Sequence, residues 1–371
     1  MIDACEIAPA WIRSFAAYVP GKPSRELARE MGLDESSIVK LASNENPLGP
    51  SPAAVQSMRA ALDDIARYPD GNGFELKEAI VRHYGVSMGQ LVLGNGSNDV
   101  LELVARTFLT PGTSAVYSKH AFAVYPLSVQ AMGAIHLETP AQNFGHDLEA
   151  MAAAVRDDTR VVFIANPNNP TGTFVTGEAL QRFLGQVPRR VIVVLDEAYT
   201  EYLPVADRYN SLEWLGTYSN LVVTRTFSKA FGLAGLRIGF AVAHPDIADL
   251  MNRVRQPFNV NAVAQAGAIA TLQDKDYLAR GRALNADGMA QIIAGLTKLG
   301  IDYLPSRGNF ICLRVGPAGE IYQKLLHLGV IVRPVGGYAM PEWLRVSIGL
   351  PAENERFLGA LSEVLGGARH R

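Results

Sequence analysis

Six short apolar segments constrain the fold of this chain more than any other feature of its sequence. They recur between residues 90 and 243, and each is ended by polar residues or Gly: LVLG at 91–94, SAVY at 114–117, VVFIAN at 161–166, VIVVLD at 191–196, LVVTR at 221–225 and IGFAV at 238–242. Runs of Val, Ile and Leu without polar alternation are typical of strands covered on both faces. We therefore predict a sheet buried between layers of helices.

The segments between these strands have helical spacing. Apolar residues recur at three- and four-residue intervals: Leu148, Met151 and Val155 in one segment, and Leu180, Phe183, Leu184 and Val187 in another. Thr176 is a candidate N-cap for the second helix. Strands that alternate with helices predict an α/β fold, with a large domain in which a mostly parallel sheet is sandwiched by helices.

The pattern changes after about residue 270. A long helical stretch is followed by a strand-like FICLRV, a helix around IYQKLLHLG, the strands VIVRPV and WLRVSIG, and a closing helix. We predict a smaller α+β domain over residues 271–371, a large domain over 37–270, and an N-terminal arm over 1–36 that forms part of the smaller domain.

Charge and cysteine content exclude several classes of partner. Lys and Arg total 34 against 36 Asp and Glu, so no basic field is expected to attract nucleic acid or an anionic membrane. Two cysteines cannot form a disulfide framework. We also expect no secretory signal at the N-terminus, and no apolar run approaches the ~20 residues of a membrane helix. We predict a cytoplasmic protein. The seven histidines show no metal-ligand spacing, so no metal is predicted.

Polar segments follow four of the strands, where ligands bind in open α/β sheets. These segments are GNGSN at 94–98, NPNNPTG at 166–172, DEAY at 196–199 and TFSK at 226–229. The first precedes a helical segment and resembles an anion-binding helix N-terminus, although such turns also occur for steric reasons. The second, considered alone, is typical of a turn.

An apolar strand that ends in Asp196-Glu197 is also found in nucleotide hydrolases, where the carboxylate binds Mg²⁺. Such an enzyme would need the phosphate loop GxxxxGK followed by Ser or Thr. No segment has this pattern, because Gly21-Lys22 is followed by Pro23 and lacks the earlier glycine. The sequence therefore disfavours an ATPase.

Lys229 lies at the end of a buried strand among hydroxyl and apolar residues. This environment lowers the pKa of an ammonium group and favours a lysine that forms a Schiff base. Considered alone, a solvated surface lysine is the more common interpretation.

The motifs together resemble the fold-type I pyridoxal-phosphate aminotransferases, and within them the histidinol-phosphate aminotransferase group. In chain order the matching segments are LASNENPLGP at 41–50, RYPDGNG at 67–73, GNGSND at 94–99, NPNNPTG at 166–172, DEAY at 196–199, TFSKAFGLAGLRIG at 226–239, RGNF at 307–310 and LRVSIG at 344–349. The resemblance covers nearly the whole chain.

The resemblance implies pyridoxal 5'-phosphate as cofactor and assigns three catalytic residues. Lys229 would bind the cofactor covalently and then move the proton between the substrate and the cofactor. Asp196 would pair with the pyridine nitrogen, while Tyr199 and Asn169 would hydrogen-bond the 3-hydroxyl group. Phe122 matches the aromatic residue that stacks on the ring, although it is also an ordinary core residue.

The resemblance also implies how the phosphate and the substrate bind. The cofactor phosphate would contact Ser97, Asn98, Thr226, Ser228 and Arg237. Tyr68 matches a tyrosine that reaches this phosphate from the neighbouring subunit, which implies a homodimer. Arg345 would bind the α-carboxylate of glutamate and also the substrate phosphate. Arg333 matches a second phosphate-binding arginine. Three further residues match substrate-side positions more loosely: Tyr18, Asn44 and Asn309.

The resemblance thus implies transamination of histidinol phosphate with 2-oxoglutarate, giving imidazole-acetol phosphate and glutamate in histidine biosynthesis. An aromatic amino-acid aminotransferase is the nearest alternative, because a carboxylate satisfies Arg333 as well as a phosphate does. A phosphothreonine-type decarboxylase and a non-catalytic sensor fused to a DNA-binding domain are more distant ones. No segment for such a domain is expected in this chain.

Overall fold

The computed structural model describes residues 4–15, 17 and 20–366. The α-helices are α1 (Ala4–Ile7), α2 (Ala10–Arg13), α3 (Ser24–Met31), α4 (Pro52–Ala61), α5 (Phe74–Tyr84), α6 (Ser97–Phe108), α7 (Val124–Ala131), α8 (Leu148–Ala153), α9 (Gly177–Gln186), α10 (Pro245–Val254), α11 (Ala262–Gln273), α12 (Lys275–Leu299), α13 (Ala318–His327) and α14 (Pro351–Gly366). The strands are β1 (Val39–Lys40), β2 (Leu91–Gly94), β3 (Ser114–Ser118), β4 (Ile135–Thr139), β5 (Ala141–Gln142), β6 (Gly145–His146), β7 (Thr159–Ala165), β8 (Ile192–Asp196), β9 (Leu221–Thr226), β10 (Gly239–Ala243), β11 (Tyr303–Leu304), β12 (Phe310–Arg314), β13 (Val330–Ile331), β14 (Arg333–Pro334) and β15 (Trp343–Ser347). Short 3₁₀ helices span Glu35–Ser37, Leu62–Asp64, Met88–Gln90, Thr200–Tyr202, Val205–Asp207, Ser211–Gly216, Ala234–Leu236 and Gly336–Tyr338.

The large sheet has seven strands in the order β2-β10-β9-β8-β7-β3-β4. All six strands predicted from apolar runs belong to it, and the α/β prediction is confirmed. Strand β10 runs antiparallel to both of its neighbours, whereas the other adjacent pairs are parallel. As a result, the first residue of β10 lies at the same edge as the last residues of the other strands.

Both faces of this sheet are covered by apolar helix faces. On β7, Val161 and Phe163 pack in one cluster with residues of α6, α7 and α10, whereas Val162 and Ile164 pack in another with residues of α5, α9 and α11. Alternate side chains of a strand point to opposite faces, so a strand that is apolar throughout suits a sheet with two covered faces. The polar edge of the sheet is left to bind ligands.

The C-terminal part of the chain forms a smaller antiparallel sheet in the order β11-β12-β15-β14. Its core is shared with α12, α13 and α14. The predicted strand VIVRPV is divided at Val332: β13 pairs with β1, whereas β14 pairs with β15. Pro334 has no N–H to donate, which suits its place on the edge strand β14.

Two further features of the helices follow from local sequence. The Thr176 side chain accepts a hydrogen bond from the Ala179 N–H at 3.3 Å, which confirms Thr176 as the N-cap of α9. Within the described part of the chain, every helix is too short or too polar to cross a bilayer.

Candidate active site

A cavity opens at the polar edge of the large sheet and faces the smaller sheet. Most of the site residues predicted from the sequence line it: Asn44, Ser97, Asn98, Phe122, Asn169, Asp196, Tyr199, Thr226, Ser228, Lys229, Arg237, Arg333 and Arg345. Because the carboxyl ends of β2, β7, β8 and β9 meet at this edge, residues far apart in sequence converge here.

The Lys229 side chain lies in the cavity three residues after the end of β9. Its Nζ donates a hydrogen bond to the Ser43 carbonyl oxygen at 3.0 Å and lies 5.8 Å from the centroid of the Tyr199 ring. Burial, followed by the positive charge of Arg345, lowers the pKa of Lys229 from 10.5 to about 7. A substantial fraction of the amine is therefore neutral and nucleophilic near neutral pH.

Asp196 ends β8 and is buried at the floor of the cavity. Its two carboxylate oxygens accept hydrogen bonds at 2.9 Å from the hydroxyl groups of Tyr125 and Thr224. Burial nevertheless raises the pKa of Asp196, since desolvation outweighs these two hydrogen bonds. A cationic group placed against this carboxylate would stabilise its charged form.

A cup of backbone and side-chain donors lies where α6 begins. The helix starts at Ser97, and its first N–H groups have no partner within the helix. Gly96 has a φ of 87°, and a Cβ there would lie 2.4 Å from an Arg237 guanidinium nitrogen. Arg237 also donates to the Ser228 hydroxyl at 3.2 Å. This arrangement is suited to an anion such as phosphate.

A second glycine allows the strands to approach this cup. Gly239, the first residue of β10, pairs with Gly94 of β2 and with Thr226 of β9. A Cβ at Gly239 would lie 2.6 Å from the Ser97 nitrogen. A side chain at this position would therefore displace the start of α6.

Two separate sets of hydrogen bonds hold Asn44, Tyr199 and Arg345 on the other side of the cavity. The Asn44 amide donates to the Tyr199 hydroxyl at 2.9 Å, and the Arg345 guanidinium donates to the Asn169 side-chain oxygen at 2.5 Å and to the Ala42 carbonyl at 2.6 Å. Arg345 Nε is buried and has no hydrogen-bond partner in the described part of the chain.

Arg333 and Arg345 lie directly opposite each other on β14 and β15. Two positive charges at paired positions of an antiparallel ladder repel each other. Both arginines line the cavity, so an anion bound there would offset this repulsion.

Two predicted site residues in the described part of the chain lie outside the cavity lining. The Asn309 amide donates to the main-chain oxygens of Asn44 and Glu45, and so supports Asn44 from behind. Tyr68 is 83% exposed and stacks on Phe258, with a centroid distance of 4.6 Å. Tyr18 lies outside the described residues.

The structure also adds residues that the sequence analysis did not identify. Tyr125 and Thr224 hold Asp196, Ser43 accepts from Lys229, and Tyr338 enters the cavity from the smaller sheet. Thr224 could have been found, because it precedes Thr226 by two residues and therefore lies on the same face of β9. Among the described residues, no group of three or more His, Cys, Asp and Glu is placed to bind a metal ion.

The chain is similar to known proteins over nearly its whole length. Residues 36–361 match the family model described as aminotransferase class I and II. Histidinol-phosphate aminotransferase 2 of Nitrosospira multiformis is 59% identical over 365 residues, which are 98% of this chain and 93% of that protein. The histidinol-phosphate aminotransferase of Methylobacillus flagellatus is 59% identical over 97% of this chain and 98% of its own length.

A solved structure extends the similarity to three dimensions. The histidinol-phosphate aminotransferase from Sinorhizobium meliloti, in complex with pyridoxal-5'-phosphate, superposes with a TM-score of 0.90 at 30% identity. The alignment covers 98% of each chain.

Proposed function

Because this chain belongs to the class I and II aminotransferases, and within them to the histidinol-phosphate aminotransferases, we propose that it transfers the amino group of histidinol phosphate to 2-oxoglutarate. The products are imidazole-acetol phosphate and glutamate, and the reaction belongs to histidine biosynthesis. The enzyme is a pyridoxal-phosphate-dependent transaminase. The observation that carries the choice of substrate is the pair of arginines, Arg333 and Arg345, that faces the cavity.

The residues of the cavity fit the cofactor. Lys229 offers an amine with a pKa of about 7 for the aldehyde, and Asp196 offers a buried carboxylate for the pyridine nitrogen. The lack of a side chain at Gly96 lets the Arg237 guanidinium approach the start of α6, and these donors together fit the phosphate. When bound, pyridoxal phosphate supplies an electron-accepting ring that stabilises negative charge at the substrate Cα.

Lys229 is the general base and acid of the proposed reaction. Its neutral Nζ would accept the proton from the substrate Cα, hold it, and later return the same proton to the cofactor. The lowered pKa favours this exchange near neutral pH, since the amine can both accept and release a proton there. The Ser43 carbonyl orients the amine through its 3.0 Å hydrogen bond.

The other predicted cofactor residues hold the ring and its phosphate. Asp196 is kept in position by Tyr125 and Thr224 and would offer its negative charge to the ring nitrogen. Tyr199 and Asn169 would bind the 3-hydroxyl group, and Phe122 would cover the ring; all three line the cavity. The cofactor phosphate would be bound by residues at the start of α6 and in the segment that connects β9 to β10. These residues are Ser97, Asn98, Thr226, Ser228 and Arg237.

Substrate binding is assigned to the side of the cavity that faces the smaller sheet. Arg345 binds the α-carboxylate of glutamate in one half-reaction and contributes to phosphate binding in the other. Arg333 binds the phosphate of histidinol phosphate. Asn44 and Asn309 hold this wall through their mutual hydrogen bond, and Tyr18 is proposed to contact the substrate.

Steady-state kinetics with two amino donors test the proposal. We expect the wild-type enzyme to prefer histidinol phosphate to phenylalanine. Arg333→Ala should lose about 10²-fold in kcat/KM on histidinol phosphate, because a charge-assisted contact to phosphate is lost, and much less on phenylalanine. Equal losses on both donors would remove the reason for preferring phosphate and favour an aromatic amino-acid aminotransferase.

We also propose that the enzyme works as a homodimer in the cytoplasm. Tyr68 is exposed and outside the cavity of its own chain, as expected for a residue that reaches the phosphate of a neighbouring subunit. In the described part of the chain neither Cys5 nor Cys312 is in a disulfide, which is compatible with a reducing compartment.

A further inference from the structure

His120 forms a hydrogen bond between the two sides of the active-site cavity. It lies in the turn after β3, and its Nδ1 is 2.6 Å from the main-chain oxygen of Tyr338. A carbonyl oxygen only accepts, so Nδ1 carries the proton and donates it. The Tyr338 oxygen belongs to the turn between β14 and β15 of the smaller sheet, whereas His120 follows β3 of the large sheet.

Backbone strain is concentrated on both sides of this hydrogen bond. His120 has a φ of 60°, and Ala339, directly after Tyr338, has a φ of 57°. Residues other than glycine adopt this left-handed conformation at a cost, which persists only where the surroundings hold it. Two such residues on opposite sides of one contact indicate that the contact is maintained for a purpose other than stability.

On its own side, His120 is joined to two loops that carry predicted cofactor residues. Its main-chain oxygen accepts a hydrogen bond from the Asn168 amide at 3.0 Å, one residue before Asn169. Phe122 follows two residues later and lines the cavity. The position of His120 is therefore fixed relative to the cofactor site.

On the opposite side, the contacted turn carries residues that face the substrate. Tyr338 lines the cavity, and Arg333 begins the strand that leads into the turn. The turn is closed by a hydrogen bond from the Tyr338 N–H to the Val335 oxygen at 3.0 Å. Phe144 packs against both the His120 ring and Trp343, with centroid distances of 5.5 and 5.1 Å, and so supports the contact laterally.

We propose that His120 is a positioning residue for the amino donor: its hydrogen bond to the Tyr338 carbonyl holds the turn at 336–339, and with it Tyr338 and Arg333, over the cavity. This assignment rests on the proposed function, since it concerns the residues that bind the donor. His120 itself does not line the main cavity, so the expected effect is on donor binding rather than on proton transfer.

A matched pair of substitutions tests the proposal in the cofactor-loaded enzyme. Asn and Asp have the same shape and both tolerate a positive φ, but only Asn offers an N–H to the Tyr338 carbonyl. His120→Asp should raise KM for histidinol phosphate about tenfold with kcat little changed, because one hydrogen bond is lost and replaced by repulsion. His120→Asn should restore KM to near the wild-type value.

Hydrogen–deuterium exchange gives a second readout that needs no substrate. The peptide over 336–347 should exchange faster in His120→Asp than in the wild type or in His120→Asn. Tyr338→Phe is the control, since it keeps the accepting carbonyl and should leave the exchange of this peptide unchanged. If the wild type does not accept histidinol phosphate, the proposed function fails, whereas this comparison still tests the role of His120.

Equal KM values and equal exchange in the Asp and Asn variants would overturn the proposal. If His120→Asp does not fold, His120→Gly replaces it, because glycine adopts a φ of 60° without strain and lacks the donor. A folded His120→Gly enzyme with wild-type exchange over 336–347 would also overturn it.

Discussion

Lys229 and Asp196 lie in the same cavity, and burial shifts the ionisation of both side chains towards the neutral form. Burial lowers the pKa of the lysine and raises that of the aspartate. A cofactor that engages the amine and brings a cationic ring nitrogen to the carboxylate relieves both desolvation costs. The charges of the cavity therefore suit a group that combines an aldehyde with a cationic ring nitrogen.

The lowered pKa of Lys229 predicts how the stability of the apoprotein depends on pH. The folded-state pKa of about 7 lies below the ordinary value of 10.5, so the unfolded chain binds an additional proton between these pH values. Unfolding free energy therefore rises with pH across this window in the wild type. We expect Lys229→Met to be more stable than the wild type at pH 7, with a difference that shrinks as the pH approaches 10.5.

Urea denaturation of the two apoproteins at several pH values measures this difference. A stability difference that stays constant from pH 7 to 10.5 would contradict the lowered lysine pKa.

At the residue scale, the sequence predicts side chains that belong to motifs and misses those defined by tertiary contacts. Asp196 and Lys229 could be located because each follows a buried strand. Ser43 could not, because it acts through its main-chain oxygen, which every residue has. Tyr125 was also missed, since its hydroxyl meets Asp196 only after α7 packs on the sheet.

At the scale of elements, a buried ion pair joins Arg225 of β9 to Glu197, the residue that follows β8. The Arg225 guanidinium donates to a Glu197 carboxylate oxygen at 2.8 and 3.1 Å, and the Glu197 side chain is fully buried. Asp196 and Thr224 are the neighbouring residues on these strands and pair across the ladder. The ion pair therefore supports the strand register on which the cavity depends.

We expect Glu197→Gln to destabilise the protein by about 3–5 kcal/mol, because it leaves a buried guanidinium without its counter-charge. Replacing both Glu197 and Arg225 by Met should cost less, since no unpaired charge remains. Thermal or urea unfolding measures the difference.

The exposed ion pair of Arg253 with Asp249 on α10 provides the control. Asp249→Asn should change stability little, because solvent screens the pair. A Glu197→Gln protein as stable as this control would show that the buried pair contributes nothing.

Elements were predicted best where burial is complete. The six apolar runs became strands because a sheet with two covered faces requires them. The strand β4 was missed because it lies at the edge, with Ile135 41% exposed and a mixed polar sequence. The reversed direction of β10 could not be predicted, since the same residues form a parallel or an antiparallel strand.

At the scale of the whole molecule, mixing two defective variants tests whether the proposed dimer shares its active sites between subunits. If Tyr68 serves the neighbouring site, a heterodimer of Tyr68→Ala and Lys229→Ala contains one intact site. Random reassortment of the two defective proteins should then restore about a quarter of wild-type activity.

A second mixture controls for this result. Lys229 and Asp196 belong to the same cavity, so mixing Lys229→Ala with Asp196→Ala should restore no activity. Subunit exchange must be verified in both mixtures. If the first mixture then shows no more activity than the second, a site shared between subunits is excluded.

The division of the chain into a large and a smaller domain remains a prediction, with an N-terminal arm assigned to the smaller one. The pairing of β1 with β13 places residues 39 and 40 beside the C-terminal part of the chain. This contact could not be predicted, because a two-residue strand has no periodicity.

The antiparallel course of β10 has a consequence for how the site can change. The chain leaves the sheet at Thr226 and re-enters it at Gly239, directly opposite. Lys229 and Arg237 therefore both lie in the segment that connects β9 to β10. The ladder holds both ends of this segment, so a slip in the pairing of β9 with β10 would displace the amine and the guanidinium relative to each other. The distance between the covalent and the anion-binding ends of the cavity is therefore set by the register of one strand pair.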